Sequence, residues 1–139
     1  DLLRTKAILA DLIAFPTVST DSNLDCIQYM ADYLTAIGAR VEVLRDATGT
    51  KANLWATLGP EGDGGLVLSG HSDVVPVADQ DWSSDPFRMD ERDGRLYGRG
   101  TTDMKGFLAS MLTLASWRFG STSLGANAPG SRACFGWWR

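Results

Sequence analysis

The chain contains one histidine, His71, and the run "LVLSGHSDVVP" (Leu66 to Pro76) places it at the end of an apolar stretch with Asp73 two residues on. In an extended segment, side chains two apart project to the same side, so this carboxylate and this imidazole come within reach of each other. A histidine at a strand exit can be a packing residue, a general base or a metal ligand. For a ligand, the chemistry asks for a carboxylate or carbonyl on the second ring nitrogen, fixing the tautomer. His-x-Asp alone does not choose among these roles. A second candidate lies in "GRLYGRGTTDMKG" (Gly94 to Gly106), where a glycine-rich approach delivers Asp103 close to the start of a helix. Asp103 there is either a helix cap, favoured by the dipole, or a ligand. A phosphate-binding turn in "GRGTTD" fits poorly, because the third glycine of the dinucleotide fingerprint is missing and a hairpin, not a buried strand, precedes it.

Elements that could position these groups follow from the periodicities. Leu2, Leu3, Ile8, Leu9, Leu12 and Ile13 recur at helical spacing until Pro16, which pushes the residue before it out of the α region. Leu24, Ile27, Met30, Leu34 and Ile37 make a second helical stripe, with Asp21 or Ser22 as its expected cap and Gly38 as its left-handed terminator. The period then changes to two in "RVEVL" (Arg40 to Leu44) and "NLWATL" (Asn53 to Leu58), and "GPEGDGG" is a turn cluster. "LVLSG" is apolar at alternate and intervening positions, as a central parallel strand covered by helices would be. Asp93-Gly94 suits a two-residue hairpin turn. Met104, Phe107, Leu108, Met111, Leu112 and Ala115 mark a helix beginning near Asp103, and Trp82, Pro86 and Phe87 are expected to pack as loop anchors. The pattern gives an α/β fold in which the carboxyl ends of parallel strands carry the functional groups.

Composition excludes several classes. With 139 residues, 44% hydrophobic and 22% charged, the chain suits one globular domain, and a net charge of −4 argues against a general nucleic-acid or membrane-surface binder. No 18-residue apolar run is present, and acids interrupt the first residues where a signal peptide would be basic and then apolar, so a cytoplasmic location is expected. Cys26 and Cys134 are too few and too separated for a disulfide framework and are expected to be reduced thiols. The first residue is Asp1, not methionine, which leaves room for residues upstream. Residues 1–116 are expected to form one structured unit, which the motif resemblance described next implies to be the N-terminal part of a catalytic domain. Residues 117–139 break the pattern: they lack a sustained period, are rich in Gly and Ser, and contain no Asp, Glu or His. An atypical disordered tail is expected there, from an interruption of the natural reading frame near Ser116.

In combination, "AFPTVS", "NLWATLGP", "SGHSDVVPV", "DWSSDPF" and "RDGRLYGRGTTDMKGFLA" resemble the N-terminal part of the di-metal aminoacylase, carboxypeptidase and desuccinylase metallopeptidase family, from about Leu2 to Ala115. The wording lies closest to the deacetylase branch, while the desuccinylases share the His-x-Asp and Asp-Met-Lys-Gly elements. The resemblance implies an incomplete zinc-exopeptidase-like domain with a mixed, mainly parallel sheet flanked by helices. It also implies metal-dependent hydrolysis of the amide of a small N-acyl amino acid, with two divalent ions, zinc or cobalt, and homodimers among full-length members. Position by position it implies His71 as ligand of one ion, Asp103 as the carboxylate bridging both, Asp73 as the catalytic-site acid that orients the ring, a cis peptide after Asp103, and Gly106 as a site of close helix approach. The family's general-base glutamate, its neighbouring acidic ligands and its second histidine have no counterpart after Ser116. The chain alone is therefore expected to be inactive. Outside the enzyme class, a non-catalytic binding module or a remnant remains open.

Overall fold

The computed structural model describes residues 1–62, 64–119 and 133–138. Helix α1 (Leu2–Ala14) is capped by Asp1, whose carboxylate accepts from the Arg4 amide at 3.2 Å, and Phe15 ends it in an extended conformation ahead of Pro16. Its stripe Ile8, Leu9, Leu12 and Ile13 is buried. Helix α2 (Leu24–Ala36) buries Cys26, Ile27, Met30, Ala31 and Leu34, and Gly38 follows with φ 88°. Its cap position is Asn23, which makes no side-chain cap bond, while Ser22, one of the expected caps, accepts from the Leu24 amide through Oγ at 3.3 Å. Asn23 is buried and spends its side chain elsewhere: Nδ2 donates to the Ala52 carbonyl and Oδ1 accepts from the Ala52 amide, both at 2.9 Å. Local cap preference thus yields to a link between α2 and the sheet.

Strands β1 (Arg40–Arg45), β2 (Ala52–Leu58), β3 (Leu66–His71) and β6 (Ala133–Trp138) form one mixed sheet in the order β1-β2-β6-β3. The β1·β2 and β2·β6 pairings are antiparallel, and β6·β3 is parallel. The balance of pairings therefore differs from the mainly parallel sheet expected. β4 (Asp90–Arg92) and β5 (Arg95–Tyr97) form a separate hairpin whose turn, Asp93-Gly94, has φ 52° and 70°. Positive φ at both central residues is what a two-residue hairpin turn matched to strand twist requires. Helix α3 (Lys105–Phe119) buries Leu108, Met111, Leu112 and Ala115, whereas Phe107 stays 42% exposed. Buried residues of all three helices join Ala52, Leu54, Ala56 and Leu58, alternate residues of β2, in a single core with Phe135. Each large aliphatic side chain fully buried there, such as Leu12 or Ile13, contributes about 1.5–3 kcal/mol.

Two expectations are corrected. β3 is not covered on both sides: among the described residues only β6 pairs with it, and Leu66 and Val67 remain 57% and 58% exposed. Nor is the segment from 117 onward without structure throughout. α3 continues to Phe119, and "ACFGWW" forms β6 between β2 and β3, burying Cys134 and Phe135. A six-residue run with a central glycine and no alternation gives no period to detect, and the slot between β2 and β3 selects the extended form that its Phe and Trp residues favour. Residues 120–132, which follow the expected frame interruption near Ser116, lie outside the described residues.

Candidate metal centre

Three segments converge where β3 ends. His71 is the last residue of β3, and Gly70 before it allows α3 to close in, since a Cβ there would sit 2.8 Å from Leu108 Cδ2. The segment after α1 runs alongside the exit of β3. Val74 donates its amide to Thr17 O at 2.9 Å, Ser19 donates its amide to Val74 O at 3.0 Å, and Thr17 Oγ1 donates to Ser72 O at 2.6 Å. This short parallel bridge keeps residues 71–74 extended, so Asp73 returns to the side of His71. The third segment is the turn before α3. It contains the cis Asp103-Met104 peptide, and Met104 Sδ accepts from the His71 amide at 3.3 Å.

Lys105 anchors that turn. It is fully buried, and Nζ donates to Leu12 O at 2.9 Å and Phe15 O at 2.6 Å, carbonyls at the C-terminal end of α1. α1 has no basic residue in its own last turn, so the positive group that suits a helix C-terminus arrives from α3. Burial pulls the Lys105 ammonium down to about 8, partly opposed by nearby Cys26, whose thiol burial pushes up to about 11. Gly106 is required for a reason other than helix approach: a Cβ would stand 2.3 Å from Thr101 O, within the same turn.

The sequence-derived candidates His71, Asp73 and Asp103 are brought together. His71 Nδ1 lies 3.0 Å from the Asp73 carbonyl and 3.2 Å from Asp73 Oδ1, while Nε2 lies 3.0 Å from Asp103 Oδ1. Asp73 Oδ2 in turn accepts from Ser19 Oγ at 2.5 Å. Ser19 and Thr17, which hold Asp73 and its strand, were not selected by spacing, because their link to Asp73 spans more than fifty residues and has no local period. Trp82 is a loop anchor as expected, and its indole lies beneath the Arg99 guanidinium.

The donor chemistry tests whether this arrangement suits a divalent ion. Nδ1 faces two acceptors, so in the neutral ring the proton sits there and Nε2 offers a lone pair toward the Asp103 carboxylate. Lone pair and carboxylate facing at this distance call for a proton or a cation between them. Two donors on one tetrahedral zinc ion stand about 3.3 Å apart, close to the observed separation. Donor types and convergence fit; the number does not reach the roughly four donors of a protein zinc site. Among the described residues no group of three or more His, Cys, Asp or Glu is placed to hold an ion. The residue in register with His71 on β6 is Trp138, not a ligating type. Asp103, 83% exposed, leaves its side of the pair open to solvent.

Residues 67–120 match the sequence model of Peptidase family M20/M25/M40. The chain is 45% identical over 112 residues to the acetylornithine deacetylase of Pasteurella multocida (strain Pm70), covering 76% of this chain and 29% of that protein. It is 46% identical over 108 residues to that of Shigella sonnei (strain Ss046), covering 73% and 28%. Among solved structures, human carnosine dipeptidase 1 superimposes with a TM-score of 0.77 at 27% identity, over 97% of this chain and 32% of that one. The M20 family metallo-carboxypeptidase Sso-CP2 from Sulfolobus solfataricus gives 0.79 at 18% identity, over 96% and 30%, a likeness of fold. The chain thus spans under a third of the length of each of these relatives.

Proposed function

With residues 67–120 matching the M20/M25/M40 peptidase family, we propose that the chain is the N-terminal part of a metal-dependent amide hydrolase, one that converts N-acetyl-L-ornithine and water to L-ornithine and acetate. The observation that carries this is the His71 Nε2 to Asp103 Oδ1 approach at 3.0 Å, with Asp73 on the opposite ring nitrogen. In this proposal His71 and Asp103 would hold divalent zinc or cobalt ions, and Asp73 would act through His71 as a positioning residue. Such ions lower the pKa of bound water and polarise the acyl oxygen of the substrate.

The chain's own residues set up that chemistry. Asp73, itself held by Ser19, orients the His71 ring with Nδ1 toward itself and Nε2 toward Asp103. Lys105 ties the turn carrying Asp103 to the end of α1, so imidazole and carboxylate meet without having to be ordered when an ion arrives. Neither acid of the site is free to act as general base: Asp73 is engaged on both oxygens, by His71 and Ser19, and Asp103 faces the imidazole. The 139-residue chain by itself is accordingly proposed not to turn over substrate. Homodimerisation and a cytoplasmic location belong to the same proposal, on the strength of the motif resemblance alone.

The test is a chimera in which residues 2–116 replace the matching segment of the Pasteurella multocida enzyme. Expected is acetylornithine hydrolysis that chelators abolish and metal restores, and that falls by at least about a hundredfold in His71→Ala and in Asp103→Ala. A soluble, folded chimera whose activity survives His71→Ala would refute the ligand assignment. Hydrolysis by the 139-residue chain would refute its proposed inactivity.

A further inference from the structure

The loop between α1 and α2 is held by the turn that joins β1 to β2. Lys51, the residue before β2, donates through Nζ to Ser19 O at 2.8 Å and to Asp21 O. Its backbone is fixed as well: the Asp46 amide donates to Lys51 O at 2.9 Å, and Asp46 Oδ1 accepts from the Lys51 amide at 3.1 Å. Among the described residues no carboxylate lies within ion-pair distance of the Lys51 ammonium. A long side chain that gives up its rotamer freedom for two loop carbonyls, with no ion pair to gain, serves to fix that loop. The residue it fixes is the one that touches Asp73. Ser19 donates its amide to Val74 O at 3.0 Å and its hydroxyl to Asp73 Oδ2 at 2.5 Å, while Asp73 Oδ1 lies 3.2 Å from His71 Nδ1.

Resting on the hydrolase proposal above, we propose that Lys51 is a positioning residue of the candidate metal centre, acting through Ser19 and Asp73 on the His71 ring. A cavity of about 600 Å³, lined by Ser19, Lys51 and Asp73 among others, opens beside this junction, and the Asp73 side chain is 25% exposed. Solvent can therefore replace the Ser19 hydroxyl as a donor to Asp73, but it cannot hold the carboxylate in one direction. What the serine adds is aim, and Lys51 holds the serine. With Asp73 aimed, its carbonyl and Oδ1 both face Nδ1, which favours the neutral tautomer protonated there and leaves Nε2 bare toward Asp103. With Lys51 removed, the loop carbonyls are released, Asp73 turns toward solvent, and the ring loses that preference.

The experiment needs neither metal nor turnover. His71 is the chain's one histidine, so its ring signals stand alone. The ¹⁵N-labelled 139-residue chain is studied by NMR in chelator with the ring neutral, and the two ring nitrogens report the ratio of Nδ1–H to Nε2–H tautomers. Expected is a ratio of at least about ten in the unaltered chain, reduced at least about threefold in Lys51→Met and in Ser19→Ala and restored in Ser19→Thr, which keeps the hydroxyl. A merely structural Lys51 would lower the melting temperature without moving the ratio. A dominant Nε2–H form in the unaltered chain, or an unchanged ratio in Lys51→Met, would overturn the proposal. If Lys51→Met fails to fold, Ser19→Ala against Ser19→Thr decides, and equal ratios in the two would overturn it. An inactive chimera with a ring that responds to Lys51 would refute the hydrolase and spare the positioning role, and an active chimera with an unresponsive ring would do the reverse.

Discussion

Lys105 offers a direct measurement of how the site is built. Its ammonium is fully buried yet makes two hydrogen bonds to carbonyls of α1, so two effects oppose each other: burial disfavours the charge, and the carbonyls favour it. Burial prevails, taking the group from 10.5 to about 8. Below pH 8 folded and unfolded chains both hold the proton, and the cost of the buried charge is fully present. Between about 8 and 10.5 the folded chain has released it while the unfolded chain has not, so stability rises with pH. The full span corresponds to about 3 kcal/mol, and most of it, about 2–3 kcal/mol, is recovered between pH 7 and pH 10. A neutral amine retains two N–H groups, enough for Leu12 O and Phe15 O, so the bonds need not be lost. The assay is urea unfolding of the unaltered chain and Lys105→Met in chelator at both pH values. Taking the difference between the two proteins at each pH removes most contributions from groups they share, and Cys26, at about 11, stays largely protonated throughout. The unaltered chain should gain about 2–3 kcal/mol relative to the variant on going from pH 7 to 10. A difference that stays flat, or that falls as pH rises, would refute the dominance of burial over the carbonyls.

Other sites give independent checks. Asn23→Ala strips partners from both the amide and the carbonyl of buried Ala52 and should cost about 2–4 kcal/mol in urea unfolding, whereas a loss under about 0.5 kcal/mol would show that the link between α2 and β2 is dispensable. Gly106→Ala separates two principles: helix propensity predicts a gain of up to about 1 kcal/mol, but the 2.3 Å approach of the new Cβ to Thr101 O predicts a net loss of about 1–3 kcal/mol. A rise in melting temperature would contradict the geometry. Cys26, with its thiol pushed up to about 11 by burial, is ionised to only about one part in a thousand at pH 8 and is shielded as well, so Ellman's reagent should label it only after unfolding. Labelling of the native chain at the rate of a free thiol would show that α2 opens readily.

How far the sequence foretold this structure depended on the range of the forces involved. α1, α2 and α3 were legible because each carries a buried stripe whose period is set within the helix, and the Asp93-Gly94 turn because φ > 0 at two successive positions narrows the residue choice. Partners fixed at long range were not. Asn23 looks like an ordinary cap position until Ala52 is placed opposite it, and Ser19 like a loop hydroxyl until Asp73 returns beside it. β6 has no period, and β3, whose apolar run suggested cover on both faces, has a described neighbour on one edge only.

The same distinction applies to the candidate site. His71 and Asp73 could be paired from sequence because extended geometry decides their relation over two residues. Asp103 could not be joined to them by spacing, only by resemblance, because its approach depends on tertiary devices that leave scattered marks: Gly70 where α3 closes in, Met104 against the His71 amide, Lys105 on the end of α1, and Gly106 under Thr101 O. Each serves to bring the turn before α3 to the end of β3, and none is an ionic ligand. That four such contacts converge on one imidazole and one carboxylate, with the carboxylate left open to solvent, favours a site prepared for a cation over an incidental surface pair. An incidental pair between groups 39% and 83% exposed would gain at most about 1 kcal/mol from meeting, too little to account for a buried ammonium beside it.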